Sequence, residues 1–133
     1  MLKRFSVSIK KEVSDRFDEF VKKSKFSNRS QALNYLIGQE LVNLQWQENK
    51  EVAGALIMVY DHHKRDLVQQ LLGIQHDFVK DIISSQHIHL DHDNCLEVVV
   101  VKGKAGRAKE LLNEVKAVKG LKHVALTATT VGV

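Results

Sequence analysis

Between Leu2 and Ile9 apolar and polar positions alternate: Phe5, Val7 and Ile9 point one way, Arg4, Ser6 and Ser8 the other. This period of two predicts a half-buried strand with a polar outer face. No second strand lies nearby in the chain, so its backbone groups need a partner from another chain or from far along this one. Two helical stripes come next. Val13, Phe17, Phe20 and Val21 share a face; Lys25-Phe26-Ser27-Asn28 breaks the pattern, and Ser27 or Asn28 can cap the next helix. That second stripe holds Leu33, Leu36, Ile37, Leu41 and Leu44. One strand and two short helices cannot bury this much apolar surface alone. The pattern therefore predicts an intertwined dimer whose strands pair as an antiparallel ribbon.

Gln45 to Glu51 is polar apart from Trp46 and reads as a linker, which divides the chain into domains 1–46 and 47–133. Beyond it the pattern predicts a strand from Val52 to Tyr60. A helix is expected from His63 to about Ile82, with Leu67, Leu71, Leu72, Ile74, Phe78 and Val79 apolar. Strands at Ser84 to Leu90 and Leu96 to Lys102 flank the polar turn Asp91-His92-Asp93-Asn94. Arg107 to Val118 reads as a helix between Gly106 and Gly120, and Leu121 to Thr130 as a last strand. The order βαββαβ is a ferredoxin-like split βαβ, so the expected class is α+β.

The net charge of +4 sits in the first part: up to Lys50 there are ten Lys or Arg against six acids. A basic module with a β-ribbon suits double-stranded DNA, because a ribbon enters the major groove and its outward side chains reach base edges. Arg4, Ser6 and Ser8 are the candidate base contacts. The helix start at Asn28-Arg29-Ser30 offers N–H groups to a phosphate. The bland alternative is a solvated edge strand; the two helices after it and the basic balance weigh against that.

Cys95 is the only cysteine, and it comes after His87-Ile88-His89 and the polar turn. His87 and His89, two apart on a strand, leave the same face, and the turn brings Cys95 beside them. His76, on the preceding helix, either completes this site or reaches one on a neighbouring subunit. A planar set of imidazoles and one thiolate suits Ni(II) or Cu(II); a tetrahedral one suits Zn(II). Singly, each residue fits an ordinary surface histidine or buried thiol; the cluster favours a metal. His62 and His63 form a second, weaker candidate site. Tyr60 and Glu97 are candidates to orient ligands. A lone cysteine and no apolar leader block point to a reducing, cytoplasmic compartment, and no run is long enough for a membrane span.

Taken together, the chain resembles nickel-responsive repressors of the NikR family. The resemblance rests on the first 44 residues, on Tyr60-Asp61-His62-His63-Lys64-Arg65-Asp66-Leu67, on Gln75-His76, on His87 through Glu97, and on Val101-Lys102-Gly103. It implies a ribbon-helix-helix DNA-binding domain ahead of an ACT-type domain, assembled as a homotetramer (a dimer of dimers). It implies Ni(2+) held by His87, His89 and Cys95 of one subunit and His76 of its neighbour. It further implies phosphate contacts from Lys64 and Arg65, and repression of nickel-uptake genes. The chain departs from the family pattern in two places. The turn at Lys25 lacks the usual glycine, and Gln31 and Tyr35 replace acids that in some members hold a cation. The competing reading is a ribbon-helix-helix regulator whose ACT-like domain senses an amino acid or another transition metal. No phosphate loop, nucleophile elbow or acid–base pair points to an enzyme.

Overall fold

The computed structural model describes residues 1–133, which divide into two compact units, residues 1–39 and 40–133. The elements are α1 (Lys11–Lys23), α2 (Arg29–Gln47), β1 (Glu51–Tyr60), α3 (Arg65–Asp77), β2 (Ile82–His89), β3 (Cys95–Lys104), α4 (Ala105–Lys116) and β4 (His123–Ala128). No helix is long and apolar enough to cross a membrane.

In the first unit α1 has Glu12 in its first turn and Lys22 and Lys23 in its last, matching the helix dipole. It closes with the Phe26 N–H donating to the Val21 carbonyl at 3.1 Å and the Lys25 N–H to the Lys22 carbonyl at 3.2 Å. That Schellman ending needs a left-handed residue, and Lys25 supplies it at φ 59°. Asn28 caps α2, its Oδ1 accepting from the Gln31 N–H at 2.9 Å. Phe26 packs on Phe20 and on Tyr35, with ring centroids 5.7 and 5.4 Å apart.

The expected first strand does not form within a single chain: residues 1–10 belong to no ladder. A strand exists only with a partner, and this chain supplies none there. Phe5, Val7 and Ile9 stand exposed and, with Val13, Leu36 and Ile37, line one apolar hollow.

The second unit is a four-stranded antiparallel sheet in the order β2-β3-β1-β4. Burial alternates along β1 and β3. Val52, Leu56, Met58, Tyr60, Val99 and Val101 meet Leu67 and Leu71 of α3 and Ala108, Leu111 and Val115 of α4 in one core. Ala53, Ala55, Ile57, Val59, Val98 and Val100, on the opposite face, are only half-buried.

Two boundaries differ from expectation. Gln45–Gln47 continue α2 instead of forming a linker, because Trp46 is a core residue, 7% exposed. Its Nε1 donates to the Thr129 carbonyl at 2.9 Å, and its ring lies over Gly54. A Cβ on Gly54 would come within 2.9 Å of the Thr127 carbonyl oxygen, so only glycine fits under the indole. Likewise α3 stops at Asp77, and Ile82 already begins β2. Phe78 and Ile82, four apart, mimic a helical stripe, but Phe78 turns into the core while the chain reverses.

Candidate metal centre and basic surfaces

Strand register sets three of the four expected ligand residues, His87, His89 and Cys95, in adjacent rows. Cys95 on β3 lies opposite Tyr60 on β1 and His89 on β2; one row further in, Glu97 lies opposite Met58 and His87. Directly paired residues share a sheet face, so both rows are on the helix-covered side. Cys95 and Glu97 are each 1% exposed. His87 and His89, on the edge strand, are open to solvent.

A buried carboxylate requires partners. Tyr60 Oη donates to Glu97 Oε1 at 2.6 Å and Gln75 Nε2 to Oε2 at 2.9 Å. The His87 ring sits beside this pair, its Nδ1 3.4 Å from Tyr60 Oη and its Nε2 3.5 Å from Glu97 Oε2. Burial, and then the adjacent Glu97 carboxylate, pushes the Tyr60 phenol well above its ordinary range, so it stays a donor. The sequence marks Gln75 only as part of the Gln75-His76 motif; its bond to Glu97 is not legible there.

His76 is exposed in the last turn of α3. Within one chain His76, His87, His89 and Cys95 are not drawn to a point. His89 stacks on His62 with centroids 4.4 Å apart, while His87 faces Tyr60 and Glu97. Donor triads whose atoms do lie within 4.8 Å of one another are Asp61–His62–His63 and His63–His92–Asp93. The His62/His63 pair thus extends to Asp61, His92 and Asp93. The imidazoles form a row: His62 to His63 is 4.2 Å, His63 to His92 5.0 Å. His62 Nδ1 is buried without a hydrogen-bond partner. Burial and then the neighbouring His63 and His89 lower the His62 pKa, which favours the neutral, metal-binding form. Asp61 accepts from the His63 backbone N–H at 2.9 Å, the main reason its carboxyl is held below the usual range.

Among the expected DNA contacts, Arg4, Ser6 and Ser8 are exposed, and Arg4 lines a hollow with Lys3, Ser30 and Asn34. Asn28 is occupied as the α2 cap. Arg29 is engaged by Asp18 through two bonds of 2.8 Å, Nε to Oδ1 and Nη2 to Oδ2. That fork ties α1 to the start of α2. Lys64 and Arg65 flank the start of α3 and line a surface hollow with Lys119, a third cation that sequence pattern does not bring out. Gln31 accepts from the Ser27 N–H at 2.6 Å and Tyr35 packs on Phe26, so both departures from the family pattern have local structural roles.

The model of the family described as "NikR C terminal nickel binding domain" matches residues 53–129. Among curated relatives, a protein of Syntrophus aciditrophicus is 50% identical over 129 residues, 97% of this chain and 94% of its own. One from Chlorobium limicola is 47% identical over 131 residues, 98% of each chain. One from Thermococcus onnurineus is 46% identical over 130 residues, 97% of this chain and 94% of its own. All three carry, by assignment, the name nickel-responsive regulator. Among solved structures, the uncharacterized protein TM1266 from Thermotoga maritima superposes with a TM-score of 0.54 at 15% identity, covering 59% of this chain and 98% of that one. That likeness concerns the fold alone.

Proposed function

The chain belongs to the NikR family of nickel-responsive regulators, and from that premise we propose a nickel-dependent repressor that binds operator DNA and controls nickel uptake. Its cofactor is Ni(2+), and it is a regulator rather than an enzyme. The observation that carries the proposal is the pair of sheet rows Tyr60–Cys95–His89 and Glu97–His87. They put one thiol and two imidazoles on one face beside the turn of the β2–β3 hairpin. Thiolate and imidazole suit a late first-row metal, so this donor set fits nickel.

His87, His89 and Cys95 would hold the ion from one subunit and His76 from another. Nickel, when bound, supplies a coordination centre that joins donors of different chains. The remaining roles belong to the protein. Glu97 anchors Tyr60, Gln75 and the His87 ring, and Tyr60 keeps its proton so that Glu97 stays the acceptor. Asp61, His62, His63, His92 and Asp93 form the second, weaker site.

Assembly as a homotetramer accounts for two uncovered apolar surfaces. Phe5, Val7, Ile9, Val13, Leu36 and Ile37 would be covered by a second ribbon-helix-helix unit, with residues 2–9 pairing as strands. The half-buried face of Ile57, Val59, Val98 and Val100 would meet another sheet. Arg4, Ser6 and Ser8 would then read bases in the major groove, with Ser30 at the helix start and Lys64 and Arg65 on phosphates. Arg29 and Asn28 would act by fixing that helix start.

The test is selection from a random DNA duplex pool with and without nickel, repeated with His87→Ala and Cys95→Ala. Duplexes enriched only with nickel, and only by the unaltered protein, are expected. Equal enrichment without nickel, or by both variants, refutes the proposal.

A further inference from the structure

His76 lies one residue before the end of α3, and between Asp77 and Ile82 no regular element holds the chain. Helix ends fray, and a ligand carried on a fraying turn loses affinity to the cost of ordering it. Turn hydrogen bonds run along this segment, from the Phe78 N–H to the Gln75 carbonyl at 3.1 Å and from the Val79 N–H to the His76 carbonyl at 3.3 Å, and one guanidinium ties it to α4. Arg107, in the first turn of α4, lies over the buried Phe78 ring, 4.2 Å from its centroid. Its Nη2 donates to the Asp77 carbonyl at 3.4 Å, its Nε to the Asp81 carboxylate at 3.2 Å and its Nη1 to the Glu110 carboxylate at 3.1 Å.

Asp81 is held from its other side as well. Its carbonyl accepts from the Lys102 N–H at 2.8 Å and its own N–H donates to the Phe78 carbonyl at 2.9 Å. Its carboxylate rests against Gly103, where a Cβ would come within 2.6 Å of Oδ1. On the upstream side Gln75 is bonded to Glu97. The residues before and after His76 are therefore both tied to the fold, while the His76 imidazole is left free and exposed.

We infer that Arg107 is a positioning residue for nickel coordination. By holding the Asp77 carbonyl, the Phe78 ring and Asp81 together, it sets the direction in which His76 is offered to the site on a second subunit. This rests on the reading of His76 as the ligand supplied in trans. The planar fork is essential to the role: a lysine ammonium can meet Asp81 but cannot also stack on Phe78 and bridge to the Asp77 carbonyl.

The experiment uses the full-length protein and Ni(II), with affinity from chelator competition and the visible spectrum recorded for each complex. Arg107→Ala, Arg107→Lys and Asp81→Asn are compared alone and in a His76→Ala background, and the metal-free proteins are melted in parallel. Arg107→Ala is expected to weaken nickel about 10-fold, the lower end for residues that orient a ligand. Its d–d bands should move toward those of His76→Ala. Arg107→Lys should recover only part of the loss, Asp81→Asn should lose less than Arg107→Ala, and none should add to His76→Ala. If Arg107→Ala fails to fold, Asp81→Asn, which keeps the side-chain volume, carries the same comparison. Unchanged affinity in Arg107→Ala overturns the inference, as does an equal loss with and without His76, the mark of a generally softened fold. If His76→Ala itself leaves nickel binding unaltered, the ligand reading falls and the inference with it. If only the Arg107 and Asp81 variants are silent, the inference falls alone.

Discussion

Residues 1–39 and 40–133 handle apolar surface in opposite ways. The second unit closes on itself: Leu56, Met58, Leu71, Leu111 and Val115 are essentially inaccessible. In the first unit α1 contains no buried residue, and Phe5, Val7, Ile9 and Val13 are about half exposed or more. The second unit buries a core of its own and leaves one sheet face half-covered; the first unit leaves most of its apolar stripe open. Under the proposed assembly, further copies of the chain would cover apolar surface in both units, and in the second they would also complete the metal site.

That contrast can be broken at several points. The largest effect should come from Cys95→Ser, which removes the one soft donor of the proposed site. Nickel affinity should fall by more than roughly 100-fold, beyond the usual loss for outer-shell partners, alongside a separate, smaller loss in metal-free melting from the buried hydroxyl. Retained affinity by chelator competition would move the site elsewhere. Next, Leu111→Ala should cost about 2–5 kcal/mol in the second unit, as for other buried leucines. Urea unfolding monitored by Trp46 fluorescence reports it, since that single tryptophan lies in the same core. A cost near zero would mean the unit is not self-sufficient.

Val7→Ser separates an exposed valine from one covered by a second copy. Left in solvent it should be neutral; if covered, the variant loses about 1.5 kcal/mol or more of assembly free energy. Sedimentation against protein concentration decides, and the covered outcome is expected. Smaller still, Lys25→Gly should stabilise the first unit by no more than about 1 kcal/mol, because strain at φ 59° is relieved while the unfolded chain gains freedom.

The smallest effect is a pH dependence. Hydrogen bonding to Arg29 lowers the Asp18 pKa, so its contribution is fully present above the ordinary value of 3.8 and is lost as pH falls through the lower folded value. Both groups are exposed, so the effect should be slight and vanish in Asp18→Asn. A clear transition near neutral pH that depended on Asp18 would contradict this assignment.

Period and spacing make much of this legible. The βαββαβ order comes from alternating and helical stripes, and the register of His87, His89 and Cys95 from a period of two around a short polar turn. Three features stay hidden for identifiable reasons. Trp46 is a lone aromatic among polar residues, so periodicity cannot mark it as core. The end of α3 is masked because Phe78 and Ile82 happen to keep helical spacing across a turn. Residues 2–9 alternate as a strand does, but a ladder needs a second strand, and within the single chain none pairs with them. At the site, the stacking of His62 on His89 and the hold of Arg107 on Asp77 and Asp81 depend on tertiary approach. Local spacing carries no record of it.

The burial of Cys95 has a consequence for the chemical lifetime of the protein. A protein whose chain carries one thiol is open to oxidative cross-linking between copies and to irreversible sulfur oxidation. Both require the sulfur to be accessible. With Tyr60 on one side, His89 on the other and 1% of its surface exposed, Cys95 cannot meet a second thiol while β1, β3 and β2 remain paired. The strand pairing that places Cys95 beside the two imidazoles also shelters its sulfur from oxidants.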